Sequence, residues 1–131
     1  MGLFSSSKVV IVEDNPALAE IYKTRLELIG YKCHVAHDGQ TALQLIEATK
    51  PDLVLLDLMI PILPGDQVLA RMRATDWGKD TKVFIISNLN ESEAPAGLRE
   101  NGIEGYIVKS TMQNDQLDQI VAGILAPPDE T

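Results

Sequence analysis

Five polar residues of this 131-residue sequence stand where apolar runs stop. Val9-Val10-Ile11-Val12 ends in Glu13-Asp14, and Leu53-Val54-Leu55-Leu56 ends in Asp57. Val83-Phe84-Ile85-Ile86 ends in Ser87, and Gly105-Tyr106-Ile107-Val108 ends in Lys109. Three carboxylates gathered in one place repel and raise one another's pKa unless a cation sits among them. With no cysteine or suitably placed histidine in the set, oxygen ligation selects a hard ion. Two or three carboxylates with open positions suit Mg²⁺, which keeps several waters and completes its shell on a phosphate. Lys109 adds a point positive charge and Ser87 a hydroxyl donor, both suited to the equatorial oxygens of a phosphoryl group. A nucleophile, a metal site, a cation and a hydrogen-bond donor are the parts of a phosphoryl transfer, in which positioning and charge neutralisation supply most of the catalysis. Singly, each residue has a plainer reading. Asp57 could open a solvated loop, Lys109 could be a surface lysine, and Glu13-Asp14 could favour the adjacent helix N-terminus.

What sets the pattern apart is the architecture that positions it. Runs apolar at every position read as strands buried on both faces, the signature of a parallel sheet covered by helices. Between the first two strands, Asn15 caps a helix with Pro16 at its first position. Leu18, Ile21, Tyr22, Leu26 and Ile29 follow at helical spacing, and Gly30 stops it. Tyr31 to Ala36 reads as a short strand. His34 and His37, three apart at its end, are poorly placed for shared metal ligation and read as surface or edge residues. Asp38-Gly39 makes a turn before a helix carrying Ala42, Leu43, Leu45 and Ile46, which Lys50-Pro51 breaks. A helix is expected over Gly65 to Ala74, then a loop at Trp77 to Asp80 with Trp77 as a partly exposed packing residue. Another helix is expected over Ser92 to Asn101, with Pro95 in its first turn, Gly102 at its C-cap, and Gly97 costing it about 1 kcal/mol relative to Ala. The last helix, with Leu117, Ile120, Val121, Ile124 and Leu125 on one face, should begin between Ser110 and Asn114.

Five strands alternating with five helices, with no hairpin signal, imply a doubly wound α/β domain with a five-stranded parallel sheet. In such a fold the carboxyl ends of strands one, three, four and five open on one rim, where ligands bind. The expected organisation is a disordered leader at 1–7, one domain at 8–126, and a tail or linker stub at 127–131. A net charge of −8 argues against a nucleic-acid surface, because phosphate binding needs clustered Lys and Arg. The single cysteine, Cys33, excludes an internal disulfide and suits a reducing cytoplasm. No apolar segment approaches the length of a membrane span.

Taken together, these residues resemble the receiver domain of bacterial-type two-component response regulators, of the chemotaxis-regulator kind, from Lys8 to Leu125. The resemblance is carried by Val10-Ile11-Val12-Glu13-Asp14-Asn15, by Asp38-Gly39 with Ala42-Leu43, and by Pro51-Asp52 through Asp57 to Pro61 with Gly65. Ser87, and Gly102 through Gly105-Tyr106 to Lys109, complete it. It implies a flavodoxin-like sheet with strand order 2-1-3-4-5. It implies that Asp57 accepts a phosphoryl group from a sensor histidine kinase, a phosphotransfer protein or a small phosphodonor. Glu13, Asp14, Asp57 and the Met59 backbone carbonyl would bind Mg²⁺, Ser87 would bond a phosphoryl oxygen, and Lys109 would pair with it. Tyr106 would be an aromatic switch, and the last two helices with the strand between them would form the readout face for a downstream protein or output domain. Such a chain is a signalling phosphoacceptor rather than an enzyme in the ordinary sense, and the resemblance also allows a homodimer through the last helices.

The sequence departs from the family at several points. Ser110 follows Lys109 where the family usually has a cis proline, and a cis bond before another residue costs about 3–4 kcal/mol. Asn88 replaces a small residue beside the site, and Met59 and Leu89 are apolar where the family tunes dephosphorylation, so slow loss of the phosphoryl group is expected. These departures also leave room for a degenerate receiver that binds partners without phosphorylation. A flavodoxin-like cofactor carrier would need a phosphate-cradling loop where Glu13-Asp14-Asn15-Pro16 stands, and a metal-dependent phosphatase would need an acid at Met59.

Overall fold

The computed structural model describes residues 7–113 and 115–125. Apart from Ser7, the expected leader at 1–7 lies outside the described residues, and so does the expected tail at 127–131. The strands are β1 (Lys8–Val12), β2 (Lys32–Ala36), β3 (Leu53–Leu56), β4 (Lys82–Ser87) and β5 (Gly105–Val108), all parallel, in the order β2-β1-β3-β4-β5. This is the expected doubly wound sheet, and its alternation explains the continuous apolar runs. Val10, Val12, Val54, Leu56, Val83 and Ile85 face one layer, while Val9, Ile11, Leu53, Leu55 and Ile86 face the other. Since successive strand residues point to opposite faces, a sheet covered on both sides leaves no position for a polar side chain. Each such side chain contributes about 1.5–3 kcal/mol of burial.

The first layer is filled from α2 (Gly39–Thr49) by Ala42 and Ile46 and from α3 (Gly65–Arg73) by Val68, Leu69 and Met72. The second is filled from α1 (Pro16–Leu28) by Tyr22 and Leu26 and from α4 (Gln116–Ile124) by Leu117 and Val121. Asn15 caps α1 through its side-chain oxygen, which accepts from Ala17 N at 3.0 Å and Leu18 N at 3.2 Å. Asp38 caps α2 through Thr41 N at 2.7 Å. That helix ends on Lys50 in the left-handed region (φ 47°), just before Pro51. Trp77 is half-buried against the first layer, as expected.

Two helices depart from expectation. Residues 92–101 do not form an α-helix: a 3-10 turn at Glu91–Glu93 gives way to a series of turns. Pro95 lies one residue too late for a first turn. It forces Ala94 into extended backbone (φ −74°, ψ 157°), as the residue before a proline generally is. Gly97 then takes φ 95°, which a right-handed helix cannot contain. Leu98 is the one fully buried side chain of this segment. The last helix begins at Gln116 rather than between Ser110 and Asn114. A 3-10 turn occupies Lys109–Thr111 instead, closed by Met112 N donating to Lys109 O at 3.2 Å, with Thr111 Oγ1 donating to Val108 O at 2.9 Å.

Candidate functional site

The rim is fixed first by backbone. Beyond the paired strands, Asp57 N donates to Val12 O at 3.1 Å and Glu13 N donates to Ala36 O at 3.0 Å, so both acids leave the sheet in register. Gly65 lets α3 start directly against that corner, since a Cβ there would lie 2.3 Å from Asp57 O and 2.7 Å from Leu58 Cα. His37, at the edge as expected, places Nδ1 2.9 Å from Glu13 O and so braces the loop after β1. Nothing in the spacing of His37 signals this contact, because its partner is a main-chain atom.

Around that corner the side chains converge. Glu13 and Asp57 are buried, at 2% and 4% exposure, and Asp14 is exposed beside them. One carboxylate oxygen from each of the three lies within 4.8 Å of the others. Lys109 Nζ stands 2.7 Å from Asp57 Oδ2 and 2.6 Å from Glu13 Oε1. The remaining oxygens are also held: Asp57 Oδ1 accepts from Met59 N at 3.0 Å, and Glu13 Oε2 accepts from Asn15 N at 3.0 Å. Lys109 thus reaches the acids although Ser110 follows it and no peptide bond among the described residues is cis.

Burial of Glu13 raises its pKa above the usual carboxylate range, and the hydrogen bonds from Lys109 and Asn15 only partly offset this. Burial also opposes the charge on Lys109, but its bonds to Asp57 and Glu13 outweigh burial and hold its pKa above the usual lysine value. The site therefore stores one carboxylate that gains from any further positive charge and one ammonium already engaged. Three oxygen donors all within 4.8 Å of one another match the scale of a Mg²⁺ shell, about 4.2 Å across from ligands at ~2.1 Å.

Ser87, the last residue of β4, is fully buried, and its Oγ accepts from Leu89 N at 3.3 Å. Tyr106 on β5 is half-buried and donates its hydroxyl to Leu89 O at 2.7 Å. The loop after β4 is therefore tied at Leu89 to both Ser87 and Tyr106. Asn88 is exposed on that loop, and the Met59 side chain is 58% exposed on the loop after β3. His34, half-buried on β2, takes no part. No helix among the described residues is long and apolar enough to cross a membrane.

Comparison with known proteins places this geometry. A family model described as the response regulator receiver domain matches residues 9–122. The chain is 34% identical over 105 residues to response regulator MprA of Mycobacterium ulcerans, covering 79% of this chain and 44% of that protein. It thus spans less than half the length of that relative. The N-terminal domain of a response regulator receiver protein from Methanoculleus marisnigri superposes with a TM-score of 0.71 at 32% identity, covering 93% of this chain and 98% of that one. The receiver domain of the sensor histidine kinase PA1611 from Pseudomonas aeruginosa, solved with a magnesium ion coordinated in its active-site cleft, shares the fold. Its TM-score is 0.76 at 24% identity, with 91% of this chain and 97% of that one covered.

Proposed function

The chain belongs to the response regulator receiver family, and from that premise we propose that Asp57 is its phosphoacceptor, with Lys109, Ser87 and the acidic corner as the groups that make the transfer favourable. The observation that carries this is the position of Lys109 Nζ, within 2.7 Å of Asp57 and 2.6 Å of Glu13. An Asp57 oxygen attacks phosphorus, the bond to the donor's nitrogen or oxygen breaks, and the leaving group departs on the opposite side. Glu13, Asp14, Asp57 and the Met59 carbonyl would hold Mg²⁺, which supplies neutralising charge for the transferred group. Lys109, already at Asp57, needs only to shift to a phosphoryl oxygen.

After transfer, about −2 of charge with three acceptor oxygens stands at the rim. Ser87 Oγ, which now accepts from Leu89 N, has a proton to donate to one of those oxygens. Moving it pulls the loop that also binds the Tyr106 hydroxyl, so Tyr106 follows. The readout face is then β5, the 88–102 segment and α4, for a downstream protein, an output domain or a second copy of the chain. The donor is a sensor histidine kinase or phosphotransfer protein, in the cytoplasm. Met59 and Leu89 carry no group to orient an attacking water, which favours a long-lived phosphoryl group. A half-life of seconds contradicts that last reading.

Acetyl phosphate with Mg²⁺ tests the assignment. Wild type is expected to gain the mass of one phosphoryl group and Asp57→Asn none. Uptake by Asp57→Asn equal to wild type would overturn it.

A further inference from the structure

Arg73, the last residue of α3, lies outside the site, yet every arm of its guanidinium is bound to backbone oxygen. Nη1 donates to Gly78 O at 2.6 Å, Nε to Asn101 O at 2.7 Å and Nη2 to Gly102 O at 2.8 Å. Gly78 belongs to the loop that follows α3. Asn101 and Gly102 close the irregular segment that leaves Ser87, and β5 begins three residues later at Gly105. The guanidinium meets each of the three carbonyls with a different nitrogen of one planar fork, whereas an ammonium would have to serve all three from a single nitrogen.

The strand that follows needs such support. β5 is an edge strand paired only with β4, and all four of its residues are merely half-buried. Its leading end has no helix to hold it, because residues 92–101 form turns whose one fully buried side chain is Leu98. Yet β5 carries Tyr106 and delivers Lys109 to Asp57. Its finish is held by the Lys109 ion pairs and its start by the Arg73 fork, a cation at each end. We propose that Arg73 is a positioning residue that anchors the start of β5 and thereby sets where Lys109 and Tyr106 stand relative to Asp57. The role in transfer rests on the functional reading above. When phosphoryl oxygens rebind Lys109 and Ser87, the finish of the strand moves while its start stays fixed, which confines the rearrangement to the loop after β4 and the finish of β5.

The carboxylates end β1 and β3 and take their backbone positions from those strands, so the anchor makes a prediction that general loosening does not. Arg73→Met keeps the aliphatic stem, and Arg73→Lys keeps the charge. Three quantities are measured in the intact chain: Mg²⁺ affinity by calorimetry, the rate of modification by acetyl phosphate, and amide hydrogen exchange from Ile103 to Ile107. For Arg73→Met we expect Mg²⁺ affinity within about twofold of wild type, a rate lowered about fivefold, and faster exchange, with Arg73→Lys intermediate. Unchanged rate and exchange overturn the proposal. So does a loss of Mg²⁺ affinity in proportion to the rate, which marks a merely structural role. If wild type takes up no phosphate, the reading of the site fails. Exchange in the resting protein then decides the anchor alone: faster in Arg73→Met supports it, and unchanged overturns it.

Discussion

Glu13 and Asp57 follow β1 and β3, whose side chains from Val9 to Val12 and Leu53 to Leu56 are buried, whereas Tyr106 lies on β5, a strand whose residues are only half-buried, and Lys109 directly follows it. The acidic half of the site is built into the centre of the sheet and braced by backbone bonds. The cationic half hangs from its edge, held by a ladder to β4 on one side only and by ion pairs, one tyrosine hydroxyl and the Arg73 fork. A metal site needs carboxylates that stay in place while a cation comes and goes. A switch needs the opposite, an element with few buried contacts that a local change of charge can move. The two demands are met by two strands' distance across one sheet.

That contrast predicts where substitutions act. Lys109→Met should slow modification by acetyl phosphate about a hundredfold, the usual loss on removing a preorganised charge from a transferring group. It should leave Mg²⁺ bound, which calorimetry checks. The same substitution should cost about 2 kcal/mol of stability in metal-free buffer. Two buried carboxylates lose their cation, and Glu13 escapes part of the penalty by protonating. Denaturant unfolding with and without Mg²⁺ measures this, and Mg²⁺ should restore most of it.

The pH dependence follows in sign. Lys109 has a folded pKa above its ordinary value of 10.5, so its stabilisation is fully present below that pH and is lost as pH rises through the folded value. The gap between wild type and Lys109→Met should therefore close in the alkaline range. Glu13, whose folded pKa is also raised, by burial, from 4.5, acts in the same direction in a lower window: its contribution is fully present below about 4.5 and falls as pH rises through the folded value. In Glu13→Gln that decline should be absent.

The smallest effect is the most discriminating for the edge half. If residues 92–101 were helical, Gly97→Ala would stabilise the protein by about 1 kcal/mol. With Gly97 at φ 95° and nothing nearer its would-be Cβ than Asn101 Nδ2 at 4.0 Å, an ordinary contact, the same change should destabilise it by about 1 kcal/mol through backbone strain. The sign of the shift in thermal midpoint separates the two.

The same division governs what could be read from the chain before its structure. Strands β1, β3 and β4 announce themselves because burial on both faces demands unbroken apolar runs, and the acids and serine that stop them mark the rim. The gathering of Lys109 and Asp57 on one rim followed from that, whereas the order of the strands was implied only by the family resemblance. The 88–102 segment misled because apolar spacing cannot register that Pro95 extends Ala94, or that Gly97 sits at a positive φ and is no mere weak link in a helix. The late start of α4 follows a 3-10 turn at Lys109–Thr111, which apolar spacing does not register. Arg73 and His37 left no trace, since their partners are main-chain carbonyls that every residue carries.

The central proposition is that the acidic corner must hold a divalent ion before Asp57 can be phosphorylated. Mass spectrometry of the intact chain after acetyl phosphate, with Mg²⁺ and again with the metal chelated, tests it most directly. The expected result is a single phosphoryl group mapping to Asp57 with Mg²⁺ and none without. Equal modification in the two samples, or a phosphoryl group on any other residue, would contradict it.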